Sequence, residues 1–231
     1  METDGSNTLE SKTILDIEGN PLQVLDALDR IAVECKYDML GNKLNERSMD
    51  AGSRWSVIDV AGKALANWND RGGFFTTDYD SLQRPVSLFI EVGGEKTLYQ
   101  RTQYGEMLSL AASKTANLRG RVYKCFDQSG VTTSLQHDFK GNLTSSSVQL
   151  VSDFQNKMDW SNIGAVTLAD EIFETSSSFD ALDRITKMVA PHKTATPQSE
   201  ILPSYNASSK LEKVAIRIRG AAGITPFVTN I

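Results

Sequence analysis

The six residues Asp26-Ala-Leu-Asp-Arg-Ile31 return unchanged as Asp180-Ala-Leu-Asp-Arg-Ile185, and Asp80-Ser-Leu-Gln-Arg-Pro85 keeps the same Asp, Leu and Arg. Recurrence of this kind marks a repeat architecture. Its kernel is a four-residue window that opens with Asp or Asn. Six windows close on glycine: Asp16–Gly19, Asp38–Gly41, Asp59–Gly62, Asn69–Gly72, Asp127–Gly130 and Asp138–Gly141. Five looser copies keep the frame: Asp26–Asp29, Asp50–Ser53, Asp80–Gln83, Asp180–Asp183 and Asn206–Ser209. With 16 glycines in 231 residues, chance would close fewer than one of these eleven windows, so six reflect a pattern and not composition.

The window has the chemistry of a hairpin turn. An Asp or Asn side chain in the first position accepts a hydrogen bond from the backbone two residues on. Glycine in the fourth position supplies the positive φ that closes a type I turn with a G1 bulge. Asp29 and Asp183 are the next best residues there, while Gln83, Ser53 and Ser209 fit less well. Windows start at residues 16, 26, 38, 50, 59, 69 and 80, in steps of 9 to 12. That spacing leaves strands of about five or six residues and predicts an all-β fold built from hairpins. An aromatic residue often precedes the window (Tyr37, Trp68, Tyr79, Phe126, Phe179, Tyr205) and an aliphatic follows it, so the two meet on paired strands.

Three segments need separate readings. Pro21–Glu34 spaces Leu22, Leu25, Leu28 and Ile31 as one helical face would, but Asp26 falls in step with the repeat, which favours strands. Glu106–Leu118 is rich in Ala, Leu and Met and stops before Gly120, which predicts a short helix near 106–118 inside the longest gap of the repeat. His192–Ser204, with Pro191 just before it and Pro197 and Pro203 within it, predicts a long loop.

Net charge is −5, with no basic stripe, which argues against nucleic acid as a partner. Apolar runs such as Val86–Val92 fall far short of the ~20 residues of a spanning helix. The N-terminus has no signal-peptide pattern. Cys35 and Cys125 are expected to be buried thiols, and two cysteines with two histidines almost exclude a zinc site.

Candidate chemistry is weaker than its structural reading at every position. Asp153 and Asp159 could be imagined as a glycosidase acid/base pair, but turn or surface roles are preferred. The repeat aspartates could bind calcium, yet neither the EF-hand series nor the nonapeptide repeat is present. Cys125 and His137 could pair as nucleophile and base, but nothing in the sequence places them together. Gly93-Gly-Glu-Lys-Thr97 lacks the spacing of a phosphate loop and reads as a turn. Trp55, Trp68 and Trp160 could form a sugar-stacking surface, though packing within the repeat is preferred. Asn142 and Asn206 head glycosylation sequons. No catalytic, cofactor-binding or metal-binding residue is assigned.

Tyr37-Asp-Met-Leu-Gly-Asn42, Tyr79-Asp-Ser-Leu-Gln-Arg-Pro85, Phe179-Asp-Ala-Leu-Asp-Arg184 and Tyr205-Asn-Ala-Ser-Ser-Lys-Leu211 resemble YD repeats of the Rhs family. The order of segments from about Asp16 to Ile231, including Trp68-Asn-Asp-Arg-Gly72, Asn117-Leu-Arg-Gly-Arg121 and Asp138-Phe-Lys-Gly-Asn142, is similar to the shell-forming B and C subunits of insecticidal Tc toxin complexes. The resemblance implies a spiralling β-shell that encloses a C-terminal effector. It implies that 1–231 is one incomplete YD-repeat shell segment, continuing the pattern at both ends, with 1–13 disordered. It further implies a non-enzymatic, secreted part of a larger toxin-like protein, whose partners are the remaining shell, the enclosed effector and toxin-complex subunits. An extracellular adhesion module that binds glycan or protein is the alternative. His192 stands where the family commonly has Asp after Pro, and Gln83 replaces a turn glycine.

Overall fold

The computed structural model describes residues 2–4 and 7–229. Nineteen strands account for most of them, and every described pairing is antiparallel and joins strands consecutive in the sequence. The chain divides into two compact units, Met1–Leu98 and Tyr99–Ile231. Of residues 1–13, Met1, Gly5 and Ser6 lie outside the described residues. Glu2–Asp4 pairs with Asn7–Leu9, and Lys12 opens the strand Lys12–Leu15.

In the first unit a meander runs through Pro21–Leu25, Ile31–Tyr37, Lys43–Ser48, Gly52–Ile58, Ala64–Asn69, Gly73–Tyr79 and Pro85–Val92. Its corners are the predicted turns. At Asp26 the Asp26 N–H donates to the Arg30 carbonyl and the Asp29 N–H returns to the Asp26 carbonyl, both at 3.0 Å. This is the type I turn with G1 bulge, and it breaks Pro21–Glu34 into two strands instead of a helix. The fourth residue is left-handed even where it is not glycine: φ is 57° at Asp29, 62° at Gln83, 61° at Asp183 and 61° at Ser209.

Two windows differ. In the segment read as Asp50–Ser53, the left-handed residue is Gly52, and Ser48 opens the turn by accepting from the N–H groups of Asp50 and Ala51. Aspartate in the first position was not needed, because a serine hydroxyl at the end of the strand does the same capping. Asp127 pairs directly with Gly130, so this hairpin has a two-residue loop without the bulge. Glycine is required there by close approach: a Cβ on Gly130 would lie 2.1 Å from the Gln149 carbonyl oxygen of the next strand.

The second unit continues with Val122–Asp127, Gly130–His137, Leu143–Val151, Leu168–Phe179, Ile185–Lys193, Glu200–Tyr205, Leu211–Arg217 and Thr225–Thr229. The predicted helix is present but shorter, a 3₁₀ turn at Gly105–Met107 followed by Leu110–Thr115. Ser109 caps its start by accepting from the Ala112 N–H. Asn117, at φ 53°, ends it: its N–H bonds the Lys114 carbonyl and the Leu118 N–H bonds the Ser113 carbonyl, which is a Schellman motif. Gly105 lies so close to Leu118 that an added Cβ would sit 2.1 Å from the Leu118 carbonyl oxygen.

The expected long loop at His192–Ser204 is instead two strand ends around a short connection. Pro191 falls at a bulge, between the pairs Glu174↔His192 and Ser176↔Val189. Pro203 lies past the only two residues that pair Glu200–Tyr205 with Ile185–Lys193, where that ladder has ended. Bulges and edge-like positions are where strands tolerate proline, so Pro191 and Pro203 stay within strands and only Pro197 falls in the connection.

The core is distributed unevenly. In the second unit the connection 152–167 folds back on the sheet and buries Trp160 completely, with its ring 5.1 Å from Phe126 and its Nε1–H donating to the Asp127 carbonyl. Gln128 holds this connection from the sheet side, accepting from the Met158 N–H at 2.8 Å and donating to the Met158 carbonyl at 2.9 Å. In the first unit, buried residues among those described are confined to Cys35, Gly73, Thr97 and Leu98. That unit is a single layer of sheet with both faces accessible.

The backbone conformations make two substitutions act in opposite directions. Gln83→Gly should raise stability by about 0.5–1 kcal/mol, because glycine is at ease at positive φ. Gly105→Ala should lower the thermal midpoint by several degrees, because the clash is with backbone. Thermal denaturation followed by circular dichroism reads both.

Candidate functional site

The residues that distinguish this chain chemically are those of its turns. The first-position carboxylate works as a clamp. Asp26 Oδ1 accepts from the Leu28 and Arg30 N–H groups at 2.9 and 3.0 Å, and Oδ2 accepts from the Arg30 side chain at 2.7 Å. Asp80 and Asp180 repeat this with Arg84 and Arg184. Asp16, Asp38 and Asp138 do so with the amide of Asn20, Asn42 and Asn142. The fifth position, Asn or Arg, is therefore part of the motif, and its recurrence in the sequence was the signal for it.

The clamp shifts protonation. The side-chain amides of Asn20, Asn42 and Asn142 hold Asp16, Asp38 and Asp138 below the ordinary 3.8. At Asp26 and Asp80 the fifth-residue N–H is the main cause, and at Asp180 it is the Arg184 side chain. A carboxylate with a depressed folded value stabilises the fold above its unfolded value, and that contribution is lost as pH falls through the folded value. The protein should therefore hold its stability to about pH 4 and lose it progressively below. Replacing Asp16, Asp38 and Asp138 together by Asn should flatten this acid limb, as read from urea midpoints between pH 2 and 7.

Because successive hairpins alternate in direction, turns two windows apart share one edge. Along that edge the tyrosine before the window reaches back. Tyr37 Oη–H donates to the Pro21 carbonyl at 3.1 Å, Tyr79 to Ala64 at 2.8 Å and Tyr205 to Ile185 at 3.0 Å. In each case the acceptor is the sixth residue counted from the Asp of the preceding turn on that edge. The fifth residue of that turn also covers the ring where it is cationic, with Lys63 5.6 Å from the Tyr79 centroid and Arg184 4.6 Å from Tyr205. Tyr79→Phe should cost about 1 kcal/mol of unfolding free energy, measured by urea denaturation.

The other candidates separate under geometry. Asp153 accepts from the N–H groups of Gln155 and Asn156, and Asp159 accepts from the Ser161 N–H and hydroxyl, so both act within turns. Cys125 pairs with Thr132 across its hairpin, while His137 stands opposite Leu143 at the far end of its strand. Burial pushes the Cys125 thiol up, and burial with the nearby Arg121 pushes His137 down. Both shifts favour neutral forms, the opposite of a thiolate–imidazolium pair. Both cysteines are free, with Cys35 buried and Cys125 half-buried. Gly93 and Gly94 both take positive φ, as in a tight hairpin turn. Among the described residues no group of three or more His, Cys, Asp or Glu side chains is placed to hold a metal ion. No helix of the described residues is long and apolar enough to cross a membrane. Asn142 commits its amide to Asp138 and Asp183, and Asn206 caps its own turn, so both sequon asparagines are structural.

The tryptophans fall into two groups. Trp160 is the buried anchor of the connection 152–167. Trp55 and Trp68 are cross-strand partners with parallel rings, 6.1 Å between centroids and 9° between planes. The sequence grouped the three together, and only the structure divides them. It also shows a charged cluster with no counterpart in the sequence reading. Glu200, the one buried charged side chain among the described residues, accepts from Lys187 at 2.6 Å and Arg217 at 2.7 Å. These ion pairs tie together three strands whose first ladder has only two described residue pairs.

An array of sequence-adjacent hairpins, with clamped Asp corners and tyrosines tied along one edge, is the fold expected from the resemblance to YD repeats. Solved structures bear this out. The chain matches the crystal structure of TcdB2-TccC3 with a TM-score of 0.78 at 23% identity, over 97% of this chain and 11% of that one. It matches the same complex without its hypervariable C-terminal region with a TM-score of 0.79 at 21% identity, over the same shares. It matches a structure of the Photorhabdus luminescens Tc holotoxin pore with a TM-score of 0.80 at 22% identity, over 96% and 11%. At these identities the likeness is one of fold, and the chain spans about a tenth of the length of these neighbours. No protein-family model matches the chain. No curated protein matches it at a significant level.

Proposed function

We propose that the chain is a non-catalytic wall segment of an Rhs/YD-repeat toxin-like protein, secreted as part of a larger assembly. In this reading residues 1–231 form one stretch of a β-shell. The partners are the rest of that shell, an effector polypeptide held inside it and the other subunits of a toxin complex. The observation that carries the reading is the single-layer sheet of the first unit, where eight consecutive strands bury almost nothing of their own. A globular domain of this length would cover one face of such a sheet; a wall between two compartments leaves both faces accessible. The clamped corners and edge-sewing tyrosines add what a wall needs, stiffness without a core. The fold neighbours, a Tc holotoxin pore among them, support the same reading.

Expression of the parent reading frame tests it. Electron microscopy should show a hollow particle, and the C-terminal polypeptide should resist added protease until the shell is denatured. A solid particle, or a C-terminal polypeptide cleaved as fast as in its free form, would overturn the proposal. The 231-residue piece alone should associate in sedimentation runs as its concentration rises, because its wide accessible sheet lacks the neighbours of a full shell.

A further inference from the structure

We propose that the face of the first unit bearing Trp55 and Trp68 is a binding site for a short oligosaccharide of β-linked pyranoses. Register places Asn45, Trp55, Trp68 and Phe74 in one row, each opposite the next across four adjacent strands. Strand spacing makes the row about 14 Å long. The two indoles stack with nearly parallel planes, and Phe74 extends the aromatic row 6.3 Å from Trp68 with its ring tilted by 42° and 39% of its surface exposed.

Two positions along the same strands, about 7 Å away, the same face carries Arg47 and Ser53, with Glu34 opposite Arg47, and Asp70 stands beside Ser53 in the turn that follows Ala64–Asn69, its N–H donating to the Ser53 carbonyl. These side chains line a recess of about 420 Å³ together with Ile31 and Met49. The Asp70 carboxylate is oriented by the Ser53 N–H at 2.7 Å. Gly52 makes room for it, since a Cβ there would lie 2.6 Å from either Asp70 oxygen.

An aromatic strip beside two carboxylates and a guanidinium suits a ligand with a flat C–H face and a rim of hydroxyls. The rings take the C–H face, and the charged groups take vicinal hydroxyls through charge-assisted hydrogen bonds. An apolar protein surface is a poorer fit, because seating it would strip water from Glu34, Arg47 and Asp70 without replacing their hydrogen bonds. Nucleic acid is a poorer fit as well: its bases would stack, but its phosphates would face two carboxylates. Trp160 takes no part, being fully buried in the other unit. Neither do Ser56 and Asn67, which pair with each other and so alternate to the opposite face.

The test is titration of the 231-residue chain with chitotriose and with cellotriose, followed by tryptophan fluorescence and calorimetry. A saturable signal with at least one of the two is expected. Trp55→Ala and Trp68→Ala should each weaken it about tenfold, and Trp55→Phe should retain most of it. Arg47→Met, which leaves the aromatic row whole, should weaken it several-fold, and Asn67→Ala should bind as the unaltered chain does. Circular dichroism melts identify any variant that fails to fold, and Trp55→Phe and Arg47→Met then carry the test. Absence of a saturable signal with both sugars, binding indifferent to Trp55 and Trp68, or preferential binding of a single-stranded oligonucleotide would overturn the proposal.

Discussion

The structure depends on a carboxylate that closes a corner. One oxygen of the first-position Asp accepts two backbone N–H groups of its turn, and the other binds the side chain of the fifth residue. Turn N–H groups face solvent and would otherwise contribute nothing to order. Gathered on one acceptor, they fix the reversal of the chain before any long-range contact exists. Within each unit the paired strands are neighbours in sequence, so the ladders assemble from local hairpins with short loops to close. The clamp also accounts for left-handed Asp29, Gln83 and Asp183. A turn held at two N–H groups and a side chain can bear the ~1–2 kcal/mol that positive φ costs an ordinary residue.

Corners alone would give a floppy ribbon. The edge contacts join one hairpin to the next, and they fall at a fixed place, from the end of one strand to the residue just past the preceding turn on that edge. The first unit relies on these contacts and its ladders, with Cys35 and Leu98 as its buried apolar side chains among the described residues. The second unit has another device. The connection 152–167 lies over the sheet, with Trp160 and Met158 buried beneath, and so builds an ordinary core on one face. Two ways of stabilising a hairpin meander follow one another along a single chain.

The fold was legible because its determinant is local. A four-residue window with Asp or Asn first and a left-handed residue fourth carries its own turn geometry, so seven windows in steps of 9 to 12, and four more beyond them, were enough to read a hairpin array. The errors came where another residue served the same physical role. Ser48 capped a turn in place of Asp50, because a hydroxyl can accept the same N–H groups. Pro191 and Pro203 looked like loop residues because the sequence does not show where a ladder has a bulge or stops. The candidate surface was half legible. Three tryptophans could be named, but which two share a face is decided by register. Arg47 and Ser53 come from two strands and Asp70 from the turn after a third, and they converge only through pairing, so no local pattern announces them.

Phe179 shows what the edge contacts require. It stands where Tyr37, Tyr79 and Tyr205 stand, and it has no hydroxyl to reach back to the preceding turn. The join is made from the other side instead: Lys140 donates to the Ala181 carbonyl at 2.5 Å and Asn142 to Asp183 at 2.9 Å, both from the turn that Asp138 closes. In the first unit Lys63 makes the same kind of bridge to the Gln83 carbonyl, beside a tyrosine that is present. What is held constant is a polar tie between neighbouring turns on one edge, and several side chains can supply it. A constraint on geometry that leaves the residue free lets sequences drift while the backbone stays. That is the relation seen between this chain and its fold neighbours, with TM-scores near 0.8 at about 22% identity.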